Sequence, residues 1–264
     1  MTYIIAEAGI NHNGSISNAL QLVKIASNAG ADAVKFQTYK TDNIAEKGSD
    51  RYEMLKKCEL PYSAFKEIKA FCFEANINFL SSAFDEDSYL FLSEELKEET
   101  IKIPSGRLLN KGLLEIANES GCDLIVSTGM VFLAEIEKAV EVLTNNHVAL
   151  LHCTSMYPLP YDKANVRVID TLRNQFDLPI GFSDHTQGTL AAQAAVCRGA
   201  CIIEKHFMSD KNCPDLAVSV SPVELNGFVK AIRKIEQALG SPKKDVDSNE
   251  FTLRDIILGG ASDC

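Results

Sequence analysis

Eight short runs of apolar and β-branched residues recur along the chain, each ending in small or polar residues and each followed by a stretch of helical period. The runs cover residues 2–9 (TYIIAEAG), 32–38 (DAVKFQT), 77–84 (INFLSSAF), 100–106 (TIKIPSG), 123–130 (DLIVSTGM), 148–154 (VALLHCT), 179–186 (PIGFSDHT) and 201–207 (CIIEKHF). Helical periodicity predicts helices over 16–29, 62–75, 86–97, 110–120, 132–145, 164–174, 188–199 and 222–239. Near-continuous apolar strands alternating with helices predict a parallel sheet jacketed by helices. Eight such units in 264 residues allow about 33 residues each, the size of a (β/α)8 unit. The expected fold is therefore α/β, a (β/α)8 TIM barrel over residues 1–240, with a loosely ordered tail over 241–264. A doubly wound open sheet would want a GxGxxG turn after its first strand, and AGINHNG is not one. The polar connection over 39–61 is too long for an ordinary βα loop and is expected to be a lid or substrate loop.

Composition narrows the setting. Hydrophobic residues make up 46% of the chain and charged residues 23%, the balance of a globular protein with a large core rather than a disordered or fibrous one. No apolar run approaches the ~20 residues needed to cross a bilayer, and the first strand starts at Thr2, so a cytoplasmic protein with no membrane contact is expected. The eight cysteines form no CxxC pair and mostly sit in apolar segments, as reduced structural thiols do. A net charge of −10 repels nucleic acid and anionic membranes. Any anion must be held by a local basic pocket.

Such a pocket is foreshadowed at the C-terminal ends of the strands, where barrels place their chemistry. Those ends are rich in polar residues, among them Glu7, Lys35, Gln37, Ser82, Lys102, Ser105, Ser127, His152, Ser183, His185, Glu204 and His206. Charged groups inside apolar strands are costly unless partners or a ligand compensate them. Alternation of faces puts Ser183 with His185, and Glu204 with His206. The two histidines end consecutive strands, and with Glu204 and Asp184 beside them they suit a divalent transition metal. The other reading is a pair of hydrogen-bonded core histidines. His152 is a third donor to consider, or a structural hydrogen-bonding group. Two inward lysines, Lys35 and Lys102, among Ser82, Ser105, Ser127 and Ser183, look like a phosphate pocket. A Schiff-base lysine is the rival chemistry. Adding Glu7 gives a site where a phosphorylated nucleophile could meet a polarised carbonyl.

The order IIAEAGINHNGS, AGADAVKFQT, SSAFDEDS, IKIPSG, STGM, LLHCTSMYPLPY, IGFSDHT, IIEKHF and a following PD resembles the sialic acid synthase family over roughly residues 3–240. That family condenses phosphoenolpyruvate with an N-acyl amino sugar to make nonulosonic acids. The resemblance implies a transferase-type condensing enzyme with a divalent ion, Mn2+ foremost and Mg2+ or Co2+ as alternatives, on His185 and His206. It implies a phosphoenolpyruvate site at Lys35, Ser82, Lys102, Ser105, Ser127 and Ser183, and a sugar site at Gln37, Tyr157 and Asp215, with Glu7 moving protons. The expected partners are phosphoenolpyruvate and an amino-sugar aldehyde of the N-acetylmannosamine type, and a homodimer is implied. Arg107 departs from the pattern, standing where members usually carry a glutamate facing the sugar, so a different acceptor is expected. Members also continue into a small antifreeze-like domain that delivers an arginine, and the chain's stop at Cys264 suggests that Arg107 partly replaces it. A related synthase with another sugar, or a weakly active binding or assembly subunit, are the alternatives.

Overall fold

The computed structural model describes residues 1–258. Its eight strands are β1 (Tyr3–Gly9), β2 (Ala33–Thr38), β3 (Asn78–Ala83), β4 (Thr100–Ile103), β5 (Asp123–Ser127), β6 (Val148–Cys153), β7 (Ile180–Asp184) and β8 (Ile202–His206). All pair in parallel and in chain order, and β8 closes on β1, so the expected (β/α)8 barrel is what forms. The helices are α1 (Ile16–Ala29), α2 (Thr41–Ile44), α3 (Asp50–Cys58), α4 (Tyr62–Glu74), α5 (Glu86–Leu90), α6 (Lys111–Ser120), α7 (Leu133–Val142), α8 (Val168–Gln175), α9 (Leu190–Cys197), α10 (Pro222–Leu239) and α11 (Phe251–Leu258). No helix among the described residues is long and apolar enough to cross a membrane.

Local chemistry sets the helix ends. Ser15 Oγ accepts from the Asn18 N–H to start α1, and Gly30, at φ +81°, ends it in the left-handed conformation. Ser221 and Glu224 cap α10 reciprocally, with Pro222 at its first position. The segment expected as one helix over 86–97 changes pitch: α5 runs into a π-helical turn, Phe91–Glu95, and Phe91 stacks on Tyr62 with centroids 4.1 Å apart. The 164–174 helix starts only at Val168, behind a 3-10 turn at Tyr161–Lys163.

The 39–61 connection is not an extended loop. It folds into α2 and α3, anchored because Tyr39, Leu55 and Cys58 pack with Ile10 in a small apolar cluster. Tyr39 Oη donates to the Leu55 carbonyl at 2.9 Å, and the Glu59 carboxylate accepts from the Thr41 N–H at 3.0 Å. Three apolar anchors, Tyr39, Leu55 and Cys58, scattered through a polar segment give no period to read. The segment also leans on Gly14, whose φ is +74° and where any Cβ would overlap the Lys57 carbonyl oxygen. The tail beyond α10 holds a short turn, Ser248–Glu250, and α11, whose residues are exposed. The remainder of the expected tail, 259–264, lies outside the described residues.

The large core lies between barrel and helices, where Ile4, Leu22, Val34, Phe36, Phe65, Phe182 and Ile203 are fully or almost fully buried. Inside the barrel the apolar layer is thin: Ile5, Ala33, Leu80, Ile125 and Leu151. Above it the inward positions turn ionic. From outside, α10 is fastened to the N-terminal ends of β1 and β2: its Arg233 donates to the Thr2 carbonyl at 2.6 Å and pairs with Asp32 at 2.6 Å. Cavities of about 630 and 470 Å³ open at the N-terminal ends of the strands, away from the ionic layer.

The β1–α1 turn buries His12 beside Phe36, its Nδ1 accepting from the Gly14 N–H at 3.1 Å. Burial pushes this imidazole from 6.5 down to about 4. The folded value lies below the unfolded one, so between about pH 6.5 and 4 the unfolded chain binds the extra proton and stability falls as pH falls. Urea unfolding of His12→Gln should show a shallower loss across that window, by up to about 3 kcal/mol relative to the parent chain. Parallel pH profiles for the two proteins would refute the assignment.

Candidate active site

Strand register assembles the site. Glu7 lies opposite Lys35 on one side and His206 on the other. Ser82 lies opposite both Gln37 and Lys102, and Ser183 opposite both Cys153 and Glu204. Because paired positions share a face, all these side chains turn to the interior above the apolar layer. Lys35 Nζ sits 2.6 Å from Glu7 Oε2 and 3.5 Å from Glu204 Oε2, and donates to Ser82 Oγ at 2.9 Å. Ser183 Oγ donates to Glu204 Oε1 at 2.8 Å, and Gln37 Nε2 to Glu7 Oε1 at 3.4 Å. Lys102 Nζ donates to Ser127 Oγ at 2.6 Å and to the Ile103 carbonyl at 3.2 Å.

The two lysines differ electrostatically. Burial alone would depress Lys35, but Glu204 and Glu7 outweigh it and hold the ammonium above its ordinary value. Lys102 is depressed, chiefly by burial, and no carboxylate lies within ion-pair distance of it among the described residues. For Glu204, burial is overcome by Lys35 and Lys102, and its carboxyl is held low. Glu7 goes the other way: burial raises it despite Lys35, with the charge of Glu204 adding to the rise. The layer therefore holds one satisfied ammonium, one ionised carboxylate, one carboxyl able to carry a proton, and one cation with no carboxylate partner among the described residues. Ser105 Oγ, which accepts from the Gly129 N–H at 2.9 Å, sits near Lys102 and Ser127 on the same wall. The absence of a Cβ at Gly129 leaves that wall open, since one would stand 2.9 Å from Ser105 Oγ and 3.2 Å from Cys153 Sγ.

Towards the mouth, the rings of His185 and His206 lie 5.4 Å apart. His185 Nδ1 is 2.9 Å from the Thr154 carbonyl, which can only accept, so Nε2 keeps the lone pair and takes the Tyr157 hydroxyl at 3.0 Å. His206 Nδ1 is buried without a hydrogen bond, 3.3 Å from Asp215 Oδ2. No group of three or more His, Cys, Asp and Glu side chains comes together to hold a metal among the described residues. Two adjacent imidazoles, one of them oriented through its other nitrogen by a backbone carbonyl, still fit an ion that takes its remaining ligands from substrate and water.

The pocket measures about 340 Å³ and is lined by Glu7, Lys35, Gln37, Ser82, Lys102, Ser105, Ser127, Tyr157, Ser183, His185 and His206, so most residues expected from the sequence meet there. Asp215 is outside the lining but stands beside it, its Oδ2 3.3 Å from His206 Nδ1 and gathered with the Glu7 and Gln37 side chains over Gly9, while Arg107 is also outside the lining. Asp184, expected beside the histidines, points instead to the helix jacket and faces Lys205 at 3.5 Å, because its strand parity is opposite to theirs. His152 also points outward, its Nε2 bonded to the Ala164 carbonyl at 3.0 Å, which is the structural role. Arg51, Cys153 and Ser155 line the pocket without having been singled out. Parity with Leu151 would have found Cys153; nothing in the sequence would have found Arg51, which depends on the packing of α3.

Fold and site together define a (β/α)8 protein with an ionic, substrate-sized pocket at the C-terminal ends of its strands. The NeuB family model matches residues 22–244, and the chain belongs to the NeuB family. It is 40% identical over 278 residues to the N,N'-diacetyllegionaminic acid synthase of Legionella pneumophila, covering 97% of this chain and 78% of that protein. It is 34% identical over 262 residues to the N-acetylneuraminate-9-phosphate synthase of Mus musculus, covering 92% and 73% respectively. The crystal structure of the N-acetylneuraminic acid synthetase of Leptospira borgpetersenii, in complex with citrate, superposes with a TM-score of 0.91 at 34% identity, covering 97% of this chain and 92% of that one.

The asymmetry between the lysines predicts opposite costs. Lys35→Met strands two buried carboxyl groups and should destabilise the fold by about 3 kcal/mol. Lys102→Met removes a buried cation that has no carboxylate partner and should be neutral or stabilising by about 1 kcal/mol. Denaturant unfolding of both variants checks this; equal losses would show that the chain neutralises the two lysines alike.

Proposed function

We propose that the protein is a phosphoenolpyruvate-dependent nonulosonic acid synthase, condensing phosphoenolpyruvate with an N-acyl amino-sugar aldehyde and releasing phosphate. The observation that carries this reading is Lys102, a buried cation with no carboxylate partner among the described residues and with donors to spare, set among Ser105, Ser127 and Ser82 within one pocket with the two histidines. The names of the relatives support the product class.

Lys102 and the serine hydroxyls hold the phosphate oxygens, while Lys35 stays bound to Glu7 and Glu204 and keeps the pocket floor rigid. C3 of phosphoenolpyruvate forms the new bond to the aldehyde carbon, and the aldehyde oxygen takes a proton. Glu7, whose carboxyl is raised by burial, supplies that proton. Water then adds to C2 of the resulting oxocarbenium and returns a proton to Glu7; collapse of the adduct breaks the C2–O bond and frees phosphate. Gln37, Tyr157 and Asp215 orient the sugar. A divalent ion on His185 and His206, manganese in first place, would supply Lewis acidity toward the aldehyde oxygen when bound.

The burial that depresses Lys102 also favours a second reading, in which its amine attacks a carbonyl as a Schiff base. Borohydride treatment with pyruvate distinguishes them: adduct mass on Lys102 belongs to the second reading only.

Phosphate release from phosphoenolpyruvate is expected only with an acceptor and a divalent ion both present. A panel of N-acetylmannosamine, diacetylated 6-deoxy hexoses and mannose identifies the acceptor type. Lys102→Met should lower turnover at least ~100-fold. Turnover that survives EDTA removes the ion from His185 and His206, and no phosphate release with any amino sugar overturns the reading.

A further inference from the structure

Asn11 is buried in the β1–α1 turn and lies outside the pocket lining, yet both its amide donors and its carbonyl oxygen are spent on the loop that follows β8. Its Nδ2 donates to the Phe207 carbonyl at 2.7 Å and to Ser219 Oγ at 3.0 Å, and its Oδ1 accepts from the Asp215 N–H at 3.0 Å. Ser219 Oγ in turn donates to the Asp215 carbonyl at 2.8 Å. A single carboxamide thus holds the main chain of Asp215 at both polar groups, directly at one and through a hydroxyl at the other. The Asp215 side chain ends 3.3 Å from His206 Nδ1, over Gly9, where a Cβ would stand 3.1 Å from Asp215 Oδ2 and 3.2 Å from Glu7 Oε1.

The turn that presents Asn11 has little freedom. The Asn11 N–H donates to the Ala8 carbonyl at 2.9 Å, the Asn13 N–H to the Ile10 carbonyl at 3.0 Å and the Ser15 N–H to the His12 carbonyl at 3.0 Å, while Ile10 packs with Tyr39 and Leu55. The loop is less constrained. Its neck closes where the Met208 N–H donates to the Val220 carbonyl and the Val220 N–H to the His206 carbonyl, both at 3.0 Å, but no residue over 208–217 is buried. Asn11 is therefore the rigid side of the contact. Only a carboxamide offers two donors and an acceptor on one planar group, the pattern that the Phe207 carbonyl, the Ser219 oxygen and the Asp215 N–H require. A group needed only to tie down the neck would stop at Phe207; the other two bonds converge on Asp215.

We infer that Asn11 is a positioning residue which, with Ser219, holds the Asp215 carboxylate against His206 Nδ1 and so fixes which imidazole nitrogen faces the pocket. A carboxylate only accepts, so the proton of the neutral ring stays on Nδ1 and Nε2 keeps its lone pair for the pocket. The same placement gives an incoming sugar a fixed carboxylate beside Glu7 and Gln37. That last role rests on the condensing reaction proposed above; the hold on His206 does not.

Two measurements on the full chain test this. The chain has five histidines, so nitrogen-15 NMR of histidine-labelled protein in EDTA resolves each tautomer, with His206 identified by the signal lost in His206→Gln. At about pH 8 the parent should show the Nδ1–H form at His206. Asn11→Ala and Ser219→Ala should convert that signal to a mixture of tautomers, while Ser219→Thr, which keeps the hydroxyl, should retain the parent's form. An Nε2–H form in the parent, or an unchanged signal in both alanine variants, overturns the inference. Steady-state kinetics then use whichever sugar of the panel above is turned over. Asn11→Ala should raise KM for that sugar about tenfold, and Ser219→Ala in the same direction, with KM for phosphoenolpyruvate unchanged. In an Asp215→Ala background neither substitution should add to the loss, because both act through Asp215. Additive losses, or equal rises in both KM values, mean a general loosening of the fold and overturn the positioning role. Should Asn11→Ala fail to fold, Ser219→Ala carries each comparison alone. If no sugar is turned over while the tautomer shifts as expected, the synthase reading fails and the hold on His206 stands.

Discussion

The Lys35 ammonium, held between Glu7 and Glu204 inside a barrel whose apolar layer is only a few side chains thick, is the interaction around which the rest is arranged. Buried ions are stabilising only when their partners are complete, and removing one partner from such a cluster costs far more than the cluster is worth intact. Lys35 consumes both carboxylates. That leaves Lys102, one strand further round, with hydroxyl and carbonyl partners only, which is what a recognition site for an anion needs. A scaffold made only for stability would neutralise both lysines.

The same strands keep a second set of ions on the other face. Asp184 and Lys205 are fully buried between barrel and helices, and the Lys205 ammonium is also bonded to the carbonyls of Asp184 and Thr186. Strand alternation separates the two sets by one residue: Asp184 lies between Ser183 and His185, Lys205 between Glu204 and His206. A one-residue slip of β7 or β8 would exchange a structural ion pair for a pocket residue on both faces at once, so the charges help to fix register as well as to line the site.

Much of this was legible beforehand because a parallel barrel writes its interior as every second residue of an apolar run. Glu7, Lys35, Lys102, Ser183 and His206 could be placed on one surface by counting. What counting missed has physical causes. Arg51 belongs to α3, a helix stabilised by a handful of apolar anchors in a polar stretch, and its reach to the pocket depends on tertiary docking. Arg107 was tied to the sugar site from a motif position, yet in the 3-10 turn it is Ser105 and Gly106, not Arg107, that line the pocket. Asp184 was grouped with its histidine neighbour although parity sends it to the helix jacket. The pitch change at Phe91–Glu95 arises from stacking against Tyr62, a contact between two helices that no single-segment pattern encodes.

The closure of β8 on β1 has a consequence in time. Glu7 faces His206 across that seam, and Lys35 takes its second carboxylate from Glu204, so the ionic cluster joins residues about 170 to 200 positions apart. During synthesis the first seven strands emerge with Lys35 half-neutralised and β1 presenting an open edge. Only when β8 arrives are charge and edge both satisfied, Glu204 reaching Lys35 and β8 pairing with β1. The pocket is thus completed last, because Glu204 and His206, both in its lining, come from the final strand.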